Sequence, residues 1–262
     1  MSSSAMHVAK TGLNAQQSRI QVISNNLANV NTTGFKRDRA NFETLLYQTW
    51  RPAGAQTSED TALTSGSSIG TGVRMVSTEK TFSQGNLMTT ENSLDLAVDG
   101  NGFFQVLMPD GRMGYTRDGT FGMNAEGVVT TPSGYILQPE INIPADATNV
   151  SISSDGIVSV NVPGDVEPQE VGQITLTRFV NPRGLTPIGE NMSVESQASG
   201  EPIITEPGQD GTGRLVQGAL EASNVNVVQE LVEMIEAQRA YEVNSKSISA
   251  TDEMLRYLSN KL

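Results

Sequence analysis

Residues 6–30 read MHVAKTGLNAQQSRIQVISNNLANV, and this stretch decides the fold. Met6, Leu13, Ile20 and Leu27 recur every seven residues, while Ala9, Gln16, Ile23 and Val30 form a second set three residues later. That alternation of three and four is the seam pattern of a coiled coil. It predicts a long helix, with Gly34 as the stop because glycine tolerates the left-handed backbone beyond a helix end. About 28 helical residues make a rod of roughly 40 Å.

The other end of the chain carries a matching stripe. Met234, Tyr241, Ile248, Leu255 and Leu262 again recur every seven residues, widened by Val227, Val228, Leu231, Ile235 and Leu258. Ser223 or Asn224 is the expected N-cap. Glu230 and Glu233 near the start, with Arg256 and Lys261 near the end, suit the helix dipole. Two amphipathic helices at opposite ends of one chain are expected to pair with each other. The first is unusual on its other face, where Asn25, Asn26, Asn29 and Asn31 stand and charges are few. An amide-rich face suits contact with further protein copies, where charges are costly to desolvate.

Between the ends the period changes. Residues 94–138 alternate short apolar runs with the turn pairs Asp99-Gly100, Asp110-Gly111, Asp118-Gly119, Glu126-Gly127 and Ser133-Gly134. Residues 103–108 and 135–137 read as strands of a meander, and the pattern continues through 150–152, 157–160 and 174–180. Residues 181–213 read as looser, and 50–72 as an extended linker or flap without periodicity. The expected class is therefore α+β: long N- and C-terminal helices paired as a coiled coil, with an inserted β-rich central domain. The expected boundaries are 1–33 plus 224–262 for the helices, 34–84 for the extended segment and 85–223 for an acidic β-rich outer domain.

Charge follows the same division. The net charge of the 262-residue chain is −12, with +4 over residues 1–58 and −12 over residues 85–220. The acidic middle and the single basic cluster, Lys36-Arg37-Asp38-Arg39, argue against nucleic-acid binding. Without cysteine there is no disulfide frame, thiolate nucleophile or Cys-bound metal. A lone histidine, His7, excludes a multi-His metal site and has no carboxylate neighbour in its helix. No apolar run is long enough for a membrane-spanning helix, and the first residues lack the pattern of a cleaved secretory signal. GSSIGTGVR at 66–74 is not a phosphate loop, because Val73 follows Gly72 where a Walker loop has lysine. Asp95, Asp99 and Asn101 read as turn residues, since Ala97 interrupts the oxygen ligands of a calcium loop. The residues thus predict no catalytic centre, no metal and no cofactor.

Three stretches carry a family likeness. SNNLANVNTTGFKRDRANFE at 24–43 resembles the N-terminal signature of the flagellar axial proteins, the rod and hook proteins of bacteria. LVEMIEAQRAYEVNSKSISATDEML at 231–255 resembles their C-terminal signature. GNGFFQV at 100–106 and GYTRDGTFGMNAEGVVTTPSGYILQP at 114–139 resemble their β-rich middle. Asn25, Asn26, Leu27, Ala28, Asn29, Thr33, Gly34 and Phe35 fall in the first signature, and Gln238, Arg239, Ala240 and Tyr241 in the second. Residues 45–74 resemble the extended segment of the distal-rod branch, with Tyr47 and Trp50 as inter-subunit anchors. The opening Ser4-Ala5-Met6-His7 is less apolar than that family leads one to expect.

The resemblance implies a structural subunit that polymerises helically into a hollow drive shaft, transmitting torque to the hook and serving as an export channel. It implies a periplasmic rod in the flagellar basal body, reached through the flagellar type III export apparatus without a cleaved signal. The implied partners are further copies of the chain, proximal rod proteins, the hook protein, the P and L rings and the rod cap. The assembly seam comprises Met6, Leu13, Ile20, Ile23, Leu27, Val30, Leu231, Met234, Tyr241, Ile248 and Leu255. Two alternatives stay open: a proximal rod or short hook-type protein, and a glycan-binding or enzymatic β module with coiled-coil ends.

Overall fold

The structure is a computed structural model that describes residues 2–54, 56–58, 61–62, 64–163 and 168–261. The chain is α+β, with one long helix near each end and a β-rich region between them. It divides into two compact units. The first comprises residues 1–27, 38–79 and 226–262, and the second residues 28–37 and 80–225.

In the first unit, helix α1 spans Ser2–Ala28 and helix α2 spans Val227–Lys261. The cap of α2 lies two residues beyond the expected position. Asn226 Oδ1 accepts the backbone N–H groups of Val228 at 3.0 Å and Gln229 at 3.3 Å. Asn224 is diverted to other work in the second unit, where its side chain accepts Arg37 N–H at 2.7 Å and donates to Thr81 O at 2.8 Å. Any short amide in that stretch has capping chemistry, and the tertiary partners choose which one is free to use it.

Contacts that advance along α1 retreat along α2, so the two helices run antiparallel. Asn26 Nδ2 donates to Glu230 Oε2 at 3.2 Å, Arg19 Nη2 lies 3.7 Å from Glu233 Oε2, and Gly12 faces the Asn244 amide. Within and around the stretch 50–72, which reads as extended and without periodicity, described residues form paired strands. Asp38–Thr44 pairs with Val73–Lys80, and Tyr47–Arg51 pairs antiparallel with Ser67–Gly70 through a bulge between Thr49 and Arg51. Alternation is faint there because neither face of Tyr47–Arg51 is buried. The root of this ribbon is fixed to α1 by Asn26, whose Oδ1 accepts Asp38 N–H at 2.8 Å while its Nδ2 donates to Asp38 O at 2.9 Å.

The second unit is built on a seven-stranded antiparallel sheet. Its order is Gly122–Met123, Val129–Thr130, Ile136–Gln138, Phe104–Leu107, Met113–Thr116, Met192–Val194 and Thr186–Gly189. The last two strands fall inside the stretch that read as loose. They are three and four residues long, contain Pro187 and are joined by Glu190 and Asn191 in the left-handed region, at φ 52° and 56°. A two-residue turn made without glycine leaves little signal in a sequence. A separate three-stranded sheet joins Asn149–Ile152, Ile157–Asn161 and Gln169–Gln173.

Leu96, Val98, Phe104, Val106, Leu137, Ile141, Val158, Val160, Ile174, Leu176 and Leu215 fill the core between these elements. Burying side chains of this kind contributes about 1.5–3 kcal/mol each before the entropy of ordering them is subtracted. Phe82, Phe103, Tyr115 and Phe179 form a second cluster in which ring edges meet ring faces, with centroids 4.8–6.0 Å apart.

Candidate assembly site

The faces of the two helices come first. On α1, Ile23 is 2% exposed, while Met6, Leu13, Ile20 and Leu27 are half-buried, as is Val30 just beyond the helix. On α2, Met234 and Ile248 are half-buried, and Leu231 and Tyr241 are exposed. The backbone of Leu255 lies in α2, but its side chain lies outside the described residues. The most buried residues of α2 are Glu230 and Ala237, both 0% exposed. These two are seven residues apart, with Asn244 a further seven along and facing α1, so the packed line of α2 is largely polar.

Several of the larger apolar side chains of α2 point elsewhere. Val228, Leu231, Val232 and Ile235 are 71%, 43%, 50% and 49% exposed. Their spacing of three, four and seven places them on one face. Exposed apolar patches of this kind mark interaction sites on many proteins. The ribbon adds further exposed apolar groups at Leu46, Tyr47, Trp50, Ile69 and Val76.

The motif residues divide by role. Asn25 Nδ2 donates to Asp38 Oδ2 at 3.2 Å, and Asn26, 1% exposed, makes the bonds to Asp38 and Glu230 given above. Ala28 ends α1, and Asn29 then turns the chain by accepting Thr32 N–H and Thr32 Oγ1–H at 3.2 Å. Thr33 Oγ1 donates to Asp118 Oδ1 at 3.0 Å. Gly34 lies at φ 67°, and a Cβ there would stand 2.5 Å from Asp118 N. Only glycine satisfies both limits. Phe35 is buried beneath Lys80, whose Nζ lies 4.9 Å from the ring centroid. In the C-terminal motif, Gln238, Arg239 and Tyr241 are exposed and Ala240 is half-buried.

A buried charge cluster within the second unit was not foreseen. Lys36 Nζ donates to Glu221 Oε1 at 2.6 Å and to Ser83 O at 2.9 Å. Arg117 Nη1 reaches Glu221 Oε2 at 3.4 Å, and its Nη2 donates to Gly100 O at 2.6 Å. Gly85 N–H donates to Glu221 Oε1 at 2.9 Å, and Gly34 N–H to Glu221 O at 2.8 Å. The three charged side chains are 3%, 4% and 0% exposed. Burial pulls the Lys36 ammonium below its ordinary range, an effect opposed by Glu221 and reinforced by Arg117. The Arg117 guanidinium is likewise lowered by burial and supported by Glu221. In the sequence Lys36 reads as one member of a basic cluster within the family-like stretch 24–43, and hydropathy holds no sign of a partner 185 residues away.

The residues weighed for other chemistry sit in ordinary surroundings. His7 is exposed, with Nδ1 3.3 Å from Thr71 O. Asp95 accepts Thr90 Oγ1–H at 2.7 Å and Asn92 Nδ2–H at 2.9 Å, and so anchors a turn. Among the described residues no group of three or more His, Asp or Glu could hold a metal ion, and no helix is long and apolar enough to cross a membrane.

Residues 6–36 match the family described as "Flagella basal body rod protein". Residues 97–160 match "Flagellar hook protein FlgE/F/G D1 domain", and residues 216–261 match "Flagellar basal body rod FlgEFG protein C-terminal". The chain is 57% identical to the flagellar basal-body rod protein FlgG of Buchnera aphidicola subsp. Schizaphis graminum, over 97% of this chain and 98% of that protein. It is 46% identical to the FlgG of Caulobacter vibrioides, over 97% and 98% of the two chains. With the rod protein FlgF of that same organism the identity is 32%, over 98% and 97%.

Proposed function

The chain belongs to the flagellar basal-body rod protein family and is a structural rod subunit, and from that premise we propose that it forms the distal part of the rod. Copies of the chain polymerise helically into a hollow shaft in the periplasm. The shaft transmits torque to the hook and carries exported proteins through its bore. The observation that carries this reading is the exposed line Val228, Leu231, Val232 and Ile235. In the polymer, the α1–α2 pair acts as a coiled coil, and neighbouring copies cover that line with the seam residues of their own helices. About 25 cal/mol per Å2 of apolar surface removed from water supplies the driving force.

The distal position is supported by the strand pairs Asp38–Thr44 with Val73–Lys80 and Tyr47–Arg51 with Ser67–Gly70, and by the greater similarity to the FlgG chain than to the FlgF chain. Tyr47 and Trp50, 59% and 58% exposed, are suited to bridge neighbouring copies and stiffen the shaft. The partners on this reading are further copies, proximal rod proteins, the hook protein, the P and L rings, the rod cap and the flagellar type III export apparatus. The chain is not an enzyme on this reading and needs no cofactor.

Electron microscopy of the concentrated, purified protein tests the proposal. Straight tubes are the expected product, and Leu231→Asp abolishes them while the second unit stays folded. Persistent monomers at high concentration, or tubes of unchanged stability from the Leu231→Asp protein, overturn it.

A further inference from the structure

A pocket of about 220 Å3 in the second unit lies beside the buried charge cluster, lined by Phe82, Asn101, Phe103, Arg117, Arg178 and Phe179. Its chemistry is cationic on an aromatic bed. The Arg117 guanidinium lies 5.4 Å from the centroid of the Phe103 ring, which fixes its plane. The Nε atoms of both Arg117 and Arg178 are shielded from solvent and have no hydrogen-bond partner among the described residues. Leaving a buried charged donor unsatisfied is costly.

The charge balance points the same way. Lys36, Arg117 and Glu221 together carry one excess positive charge in a cluster no member of which is more than 4% exposed. Glu221 already accepts from Lys36, Arg117 and Gly85, which leaves it little capacity for another donor. An anion entering the pocket would neutralise that excess. The volume holds a carboxyl group and a methylene or two, and the phenylalanine rings suit the methylenes.

We propose that this pocket is a receptor for a carboxylate, and that in the assembled rod the carboxylate is an Asp or Glu side chain of a second copy of this chain. The choice of occupant rests on the polymeric reading above. It is favoured by the supply of acceptors, since residues 85–220 carry 17 acidic side chains against five basic ones. A charged hydrogen bond in a shielded pocket also fixes the register between copies, which an apolar stripe alone does poorly.

Two measurements on the full-length protein test this. In the monomer, sodium acetate is titrated against sodium chloride at equal ionic strength, and the Nε–Hε signals of Arg117 and Arg178 are followed by NMR. Saturable shifts with acetate alone are expected, and identical responses to both salts overturn the proposal. In the polymer, the critical concentration is measured for Arg178→Gln and for the isosteric Asn101→Asp, which sets a carboxylate of its own in the pocket. Both are expected to raise it about tenfold, the factor that 1.4 kcal/mol carries. Asn101→Asp is further expected to abolish the acetate response with an unchanged melting temperature, which keeps the test valid should Arg178→Gln misfold.

Acetate binding with unaltered polymerisation identifies a site for free anions and overturns the second-copy occupant. Failure of the unaltered protein to polymerise overturns the rod reading and, with it, that occupant, while the acetate shifts still decide whether the pocket takes a carboxylate.

Discussion

Lys36 and Glu221 meet at 2.6 Å although 185 residues separate them. The first follows the motif that leads out of α1, and the second precedes the segment that leads into α2. Their pairing holds both chain passages side by side in the β unit, and Gly34 N–H donating to Glu221 O repeats the link through the backbone. A buried ion pair is weak evidence of net stability, because desolvation offsets much of the attraction. Its effect is positional: each passage has one place to go.

Removing the anion from that cluster is therefore costly. Glu221→Gln leaves Lys36 and Arg117 buried together without a counter-charge, and the expected loss is about 3–5 kcal/mol in urea-unfolding stability. Lys36→Met combined with Glu221→Gln is expected to recover part of it. A loss no larger than that of an ordinary surface substitution would show that the cluster is solvated.

Gly34→Ala tests the close approach beside it. The residue must hold φ at 67°, and the added methyl would meet Asp118 N and the Arg117 carbonyl carbon at 2.5 and 2.8 Å. The expected destabilisation is about 1–3 kcal/mol from backbone strain, with more from displaced backbone. Unaltered thermal unfolding of the variant contradicts the geometry.

Alkaline titration reports on Tyr115. Burial, helped by the charge of Glu195, pushes its phenol up to about 12. A folded value above the unfolded one, near 10, means the folded state keeps its proton longer. The associated stability is present in full below pH 10 and is lost as pH rises through about 12. Absorbance at the phenolate band is expected to show a late component that Tyr115→Phe removes, together with the matching slope of stability against pH. Glu190, which hydrogen-bonds Tyr135, raises that phenol as well, so the assignment rests on the variant.

Hydrogen exchange distinguishes monomer from polymer. The packed line of α2 runs through Glu230, Ala237 and Asn244, and so polar a contact supports two long helices weakly in one isolated chain. Amides of residues 1–33 and 224–262 are expected to exchange quickly in a verified monomer and slowly in tubes. Strong protection of both segments in the monomer refutes this.

The acidic surface can be tested by reversal. Asp146, Asp155, Glu170, Glu195 and Glu201 are exposed, and Asp165 and Glu167 lie outside the described residues. A same-sign, hydrated exterior lets a shaft turn inside a ring without sticking. Replacing four of the exposed residues with lysine is expected to preserve assembly but impair swimming, with a dependence on ionic strength. Normal swimming at every ionic strength leaves solubility as the role of the charge.

The sequence by itself determined the two helices, the meander and the acidity of the middle. Each of these is a local or periodic property. Ile23 and Leu27 announce a helical stripe through their spacing, and Asp110-Gly111, Glu126-Gly127 and Ser133-Gly134 announce turns, with each glycine at positive φ. Tertiary structure alone decided what depends on partners far along the chain. Asn226 rather than Asn224 caps α2 because Asn224 is engaged by Arg37 and Thr81. The strands beside Glu190 and Asn191 declare themselves only by pairing with each other and, through Met192–Val194, with Met113–Thr116. No spacing or periodicity links Lys36, Arg117 and Glu221, and the fold alone brings them together. Hydropathy assigns a charge to water, and only a specific counter-charge, supplied by the folded chain, lets it be buried.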